Sequence, residues 1–229
     1  MFIKKIFGAV IVLALIALPH TADAEKTDWF DRGFNFHNIR SVILFDATGN
    51  YGGSIEQRNM QDTYVENARK LKCNIITEAQ ARRTIGYQLG MDLELLARSN
   101  PLHVQQLIMQ NANRIADAWV TANVDNLDHS YYIEPARTVW ESRRQTRTWR
   151  DRYGNRQEET YYVQVPVTYP PRRVDNTSIQ MTLQMFEARS GSMIFARKDV
   201  RDRQDYQAEK GMFGRITNSF FEDVGKKIR

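Results

Sequence analysis

The run Ser41-Val42-Ile43-Leu44-Phe45-Asp46 constrains the fold of this chain more than any other stretch. A strand wetted on one face alternates apolar and polar residues, whereas an unbroken apolar run of this length belongs to a strand buried on both faces. The residues that follow supply elements to cover it. Met60, Tyr64, Ala68 and Leu71 fall on one helical stripe, with Gln57, Asn59, Glu66 and Lys70 left for the wet side. Cys73 to Thr77 reads as a second short strand, and Thr77 followed by Glu78 opens a helix through Ala81 and Ile85. Asp92 to Arg98 is a short helix, and Pro101 suits the first turn of another from Leu102 to Ile115, with Leu107, Ile108 and Ile115 inward.

The second half of the chain changes period. Ala118 to Val124 reads as a strand. Ile179, Met181, Leu183 and Met185 alternate with Gln180, Thr182 and Gln184, which predicts a half-buried strand. The turn Ser190-Gly191-Ser192 leads to its partner, Met193 to Val200. Met212, Ile216, Phe220, Val224 and Ile228 then form a helical stripe that ends in Lys226, Lys227 and Arg229, cations suited to a helix C-terminus. These elements predict an α+β fold: a mixed sheet with packed helices, a long hairpin insertion and a C-terminal helix. Trp29, Phe30, Phe34 and Phe36 lie in a polar leader before the first strand.

The start of the chain reads as an address. Lys4 and Lys5 precede an apolar stretch from Ile6 to Leu18, and Ala22-Asp23-Ala24 gives the small-x-small pattern that signal peptidase reads. Residues 1–24 are therefore expected to be a signal peptide cleaved after Ala24. The apolar stretch falls short of the roughly 20 residues that span a bilayer, which argues against a permanent anchor. No cysteine near the cleavage site offers a lipid attachment point, so residues 25–229 are expected as one soluble domain in the periplasm or outside the cell. The single cysteine, Cys73, has no partner for a disulfide, and its strand setting fits a buried small hydrophobe better than a nucleophile.

The formal charge of +5 is unevenly placed. Between Glu134 and Arg173 stand nine arginines, no lysine and five acids, and the remainder of the exported chain is neutral. This tract, 134–171, has a turn signal at Asp151-Arg152-Tyr153-Gly154-Asn155 and is expected to be a hairpin with arms of about 40 Å. Tyr161, Val163, Val165, Val167 and Tyr169 alternate as a transmembrane barrel strand would. The other arm places Arg137, Glu141, Arg143 and Arg147 on one face and Arg144 and Arg150 on the other, so neither of its faces suits lipid. The Tyr/Val face is expected to pack on the domain or on a partner, and Pro166 to sit on an edge.

Several stretches carry a family resemblance. Val42-Ile43-Leu44-Phe45-Asp46, then Cys73-Asn74-Ile75-Ile76-Thr77 with Glu78 and Arg82, then Ala116-Asp117-Ala118-Trp119-Val120, then the hairpin Met185 to Phe195 stand in an order over residues 40–228. That order resembles the periplasmic domain shared by CsgG-like curli-secretion-channel lipoproteins, the TolB N-terminal domain and the lipoproteins that activate penicillin-binding proteins. The resemblance implies an envelope protein working through protein contacts, with ring formation among the relatives. The lipidated cysteine is absent and the arginine-rich hairpin is long, two departures from the pattern.

The candidate binding residues are Arg143, Arg144, Arg147, Trp149, Arg150, Arg152, Tyr153 and Arg156. Guanidinium groups interleaved with rings suit a polyanion, and export favours an anionic glycan or a lipid head group over nucleic acid. The competing account is a solvated strand pair whose charges protect its edges and pair with Glu141, Asp151, Glu158 and Glu159. The loop Asp46 to Ser54 follows a strand but lacks the Gly-Lys-Ser/Thr sequence of a P-loop and the spacing of a dinucleotide fingerprint. His37, His103 and His129 are not at metal-ligand spacing with cysteine or carboxylate, and Glu158 and Glu159 point to opposite strand faces. No catalysis, metal or cofactor is expected. The partner is expected to be an envelope protein or a second copy of the chain.

Overall fold

A computed structural model describes residues 24–49, 54–204 and 209–228. Residues 1–23 of the expected signal peptide lie outside the described residues, as do most of the glycines of the Asp46 to Ser54 loop. The elements run β1 (Ala24–Phe30), β2 (Ser41–Leu44), β3 (Thr48–Gly49), α1 (Ser54–Ala68), β4 (Asn74–Thr77), α2 (Glu78–Leu89), α3 (Leu93–Ser99) and α4 (Pro101–Asn111). They continue β5 (Ala118–Glu134), β6 (Arg137–Arg150), β7 (Arg156–Tyr169), β8 (Arg172–Glu187), β9 (Met193–Arg203) and α5 (Glu209–Ile228). The fold is α+β. A mixed sheet has the order β1-β9-β8-β5-β2-β4, with β3 also on β5, and β6 and β7 form a second sheet of their own.

The apolar run is the reason the sheet carries helices on both faces. Val42 and Leu44 join the core beneath α1 and α5, while Ile43 and Phe45 join a separate core beneath α2, α3 and α4. All four are essentially inaccessible. β2 pairs in parallel with β4 on one side and β5 on the other. Crossovers of this kind are right-handed, so leaving β2 in one direction through α1 and returning past it through α2–α4 places the two sets of helices on opposite faces.

Local signals set the helix ends. Thr77 and Gln80 form a capping box at α2, Asp92 caps α3, and Asn100 caps α4 with Pro101 in its first turn. α4 ends at Asn111, a turn earlier than the sequence suggests, and Ile115 follows a short 3-10 turn yet still packs against the core. In α5 the stripe Met212, Ile216, Phe220 and Val224 is buried together with Phe213 and Phe221. Cys73 is half-buried just before β4, and burial raises its thiol pKa to about 11.

Two parts of the sheet depart from the sequence reading. The polar leader contains β1, an edge strand paired antiparallel with β9 from Ala24↔Arg201 to Phe30↔Phe195. Its anchor is Arg197, whose side chain is fully buried. Its guanidinium forks onto Asp28 at 2.6 and 2.7 Å, reaches Asp223 of α5 at 2.8 Å and donates to Ser219 at 3.2 Å. β5 and β8 also run further than expected, pairing from Ala118↔Glu187 to Glu134↔Arg172 with one irregularity between Val124 and Asn126.

Candidate functional site

β9 accompanies β8 only to Thr177↔Arg203. Beyond that point β5 and β8 continue as a two-stranded ribbon to Glu134 and Arg172, where Pro135-Ala136 faces Pro170-Pro171. Prolines donate no hydrogen bond, so the ladder breaks there. It resumes as β6 and β7, paired without interruption from Arg137↔Tyr169 to Arg150↔Arg156. Glu134 braces the break by accepting from Arg172 and pairing with Arg137 at 3.3 Å. The Arg172 contact holds its carboxyl below the usual range. Fourteen residues per strand at about 3.3 Å each give this arm a length of about 45 Å.

The turn at the tip uses Asp151 as its organiser. The N–H groups of Tyr153 and Asn155 donate to its Oδ1 at 2.9 Å, its own N–H donates to the Asn155 carbonyl at 2.9 Å, and Gly154 supplies a positive φ of 83°. Some desolvation opposes ionisation of Asp151, but these donors and the Gln157 amide hold its pKa below the ordinary value.

Residues paired across an antiparallel ribbon share a face. One face therefore carries Val139, Glu141, Arg143, Gln145 and Arg147 opposite Val167, Val165, Val163, Tyr161 and Glu159. The other carries Trp140, Arg144 and Arg150 opposite Pro166, Tyr162 and Arg156. The eight candidate residues are thus not a single cluster. Arg143, Arg147 and Trp149 lie on the first face, Arg144, Arg150 and Arg156 on the second, and Arg152 and Tyr153 in the turn. Arg152 stacks on the Tyr153 ring at 4.8 Å.

Among the described residues, nothing covers the Tyr/Val face. Tyr161 and Tyr169 are exposed, Val163, Val165 and Val167 only half-buried, and β6 and β7 pair there only with each other. The expected charge pairing across the strands is also largely missing. Glu141 lies 3.8 Å from Arg143 and accepts from the Tyr169 hydroxyl, which raises the Tyr169 pKa. Among the described residues, no carboxylate lies within ion-pair distance of Arg144, Arg147, Arg150 or Arg156. Trp140 at 65% exposure and Tyr162 at 69% were not singled out in the sequence, nor was the exposed run Tyr131-Tyr132-Ile133 at the base. The signal lay in three consecutive apolar residues just before a proline.

The Asp46 loop has a different character. Glu78 accepts from the Asp46 N–H at 2.9 Å, Gln61 donates to the Asp46 carboxylate at 2.8 Å and accepts from the Ala47 N–H at 2.9 Å, and Arg82 donates to Glu78 at 3.0 Å. Burial raises the pKa of both Asp46 and Glu78. These contacts tie the end of β2 to α1 and α2. A cavity of about 200 Å³ lies at the other end of β2, lined by Asn38, Asp117 and Arg189 among others. There Asp117 is occupied by the N–H groups of Arg40 and Ser41. No helix among the described residues is long and apolar enough to cross a membrane, which leaves crossing by strands untouched.

The fold with its projecting arm is thus a helix-covered mixed sheet that extrudes a cationic, aromatic ribbon. No family model matches the chain, and no curated protein matches it. It is similar in structure to the PelC dodecamer from Paraburkholderia phytofirmans, with 5% identity and a TM-score of 0.46 over 89% of this chain and 98% of that one. It is also similar to lipoprotein GNA1162 from Neisseria meningitidis, with 10% identity and a TM-score of 0.42 over 81% of this chain and 98% of that one. Likenesses at this level leave function to be argued from the chain's own residues.

Proposed function

We propose that this protein is a non-catalytic component of the bacterial cell envelope, exported by its signal peptide to the periplasm or beyond. It works in assembly, secretion or surface maintenance through protein-protein contacts made by the arm, with an envelope protein or a second copy of the chain. One observation carries the reading. A two-stranded ribbon is marginal in water on its own, yet this one stands free of the sheet with rings and uncompensated arginines on both faces. Apolar surface of this kind marks an interaction site.

The test is the native mass of residues 25–229 by light scattering at low and high salt, beside a variant in which 137–169 is replaced by a two-residue turn. A defined complex that resists salt and vanishes with the arm supports the reading. A monomer at every concentration removes self-assembly, and a complex that survives deletion of the arm overturns the assignment. The unpaired Arg144, Arg147, Arg150 and Arg156 favour a second reading, a polyanion- or glycan-binding module. Its mark is affinity for an anionic glycan that collapses between low and high salt.

A further inference from the structure

The two outer edges of the arm are not equivalent. Because the ladder is unbroken and a proline has no N–H, Pro166 and Trp140 must form a non-hydrogen-bonded pair, with the backbone groups of both turned outward. The close approach of the Thr138 and Thr168 hydroxyls, 3.1 Å apart two positions away, fits the same alternation. It follows that Thr138, Trp140, Ser142, Arg144, Thr146 and Thr148 present their N–H and C=O groups along the free side of β6. On β7 the corresponding row is interrupted at Pro166.

Charge divides the edges in the same way. β6 carries five arginines against Glu141, whereas β7 carries Arg156 against Glu158 and Glu159. Two β6 strands pairing with each other would set arginine beside arginine, which is unfavourable. The β7 edge of a second copy would answer with a missing donor at Pro166 and with acids only next to its turn.

Resting on the reading of the arm as the contact element, we infer that the free edge of β6 receives an extended acidic segment of a partner protein by strand addition. The partner's backbone continues the β6 ladder, and its alternate glutamates or aspartates, which share one face, lie beside Arg143 and Arg147 or, with the strand turned over, beside Arg144 and Arg150. Backbone pairing supplies the binding, and charge selects the strand.

A labelled ten-residue peptide of alternating glutamate and valine, titrated by fluorescence anisotropy onto residues 25–229, is the probe. It is compared with the lysine-valine peptide and with a glutamate-valine peptide N-methylated at every second residue. The expected result is saturable binding of the glutamate peptide, at least tenfold weaker binding of the N-methylated form, and none of the lysine form. Ser142→Pro and Thr146→Pro remove only outward N–H groups, so they leave the β6-β7 ladder intact and weaken binding at least tenfold. Gln164→Pro does the same to the β7 edge and leaves binding unchanged.

Equal binding of the N-methylated peptide overturns the inference in favour of plain electrostatic capture of a polyanion. Equal loss with Gln164→Pro overturns the choice of edge, and no binding at 1 mM overturns strand addition outright. If the complex seen by light scattering disappears with the whole arm but survives Ser142→Pro and Thr146→Pro, the arm remains the contact element and the edge inference alone fails.

Discussion

Replacing Asp28 by alanine tests how the first strand is held. Arg197 is a fully buried cation beside the packed rings of Phe195 and Phe220, and Asp28 provides two of its four side-chain hydrogen bonds. Removing one partner of a buried ion pair costs about 3–5 kcal/mol, because the other charge stays in place with its desolvation uncompensated. Asp28 is 31% exposed and Asp223 remains within 2.8 Å, so the low end, about 3 kcal/mol, applies. For a chain of this size that lowers the melting temperature by about 6–12 °C. Arg197→Met removes the buried charge itself and leaves Asp28 and Asp223 to Lys26, at 3.4 and 2.7 Å, and to water. Its cost should be smaller, about 1 kcal/mol. The assay is urea unfolding of both variants, with hydrogen exchange of the β1 amides as the local readout. If Asp28→Ala costs less than Arg197→Met, the account of Arg197 as a charge made tolerable by its carboxylates is wrong.

Although burial works against it, ion pairing with Arg197 and Lys26 lowers the pKa of Asp28, and the Asp223 pKa is lowered by the same partners. The stability these two carboxylates add is therefore present above the unfolded-state value near pH 4 and is lost as the pH falls below it. Acid titration of Asp28→Asn/Asp223→Asn should be flatter than that of the parent, and an equal slope would refute the assignment. Burial raises the Asp46 and Glu78 pKa values, so their contribution has the opposite sign, and Glu78→Gln should lose stability least at neutral pH. A Cβ on Gly225 would lie 2.6 Å from the Lys70 carbonyl, so Gly225→Ala should cost about 1–3 kcal/mol in the same urea assay. With its pKa near 11, Cys73 should react with iodoacetamide at pH 8 on the order of 100-fold more slowly than a free thiol, and at the ordinary rate in denaturant.

How much of this was legible in the sequence depended on whether a residue's surroundings were local. The double-sided burial of β2, the helix start at Thr77 and the stripe of α5 are written in a few neighbouring residues, and the structure carries all three. β1 was illegible because nothing in Glu25 to Phe30 marks a strand. Its cause is Arg197, 169 residues away, which in Ala196-Arg197-Lys198 looks like one more solvated charge.

The arm shows the opposite limit. Periodicity reads the boundary between core and water, and a ribbon with water on both faces has no such boundary. That is why Asn126 to Glu134 escaped notice although it pairs without a break to Arg172, and why the Tyr/Val alternation of β7 pointed to a covered face that the described residues do not supply. An alternation maintained over Tyr161, Val163, Val165, Val167 and Tyr169 either serves the hairpin alone or, as proposed, forms half of an interface. Val163→Thr with Val165→Thr separates the two accounts. If the face serves only the hairpin, the double variant should leave the native complex intact. If the face meets a partner, the complex should weaken about tenfold or more while the unfolding of the sheet domain is unchanged, because neither valine touches its core. Loss of sheet stability in that variant would instead place the face against the domain, contrary to the exposure of Tyr161 and Tyr169.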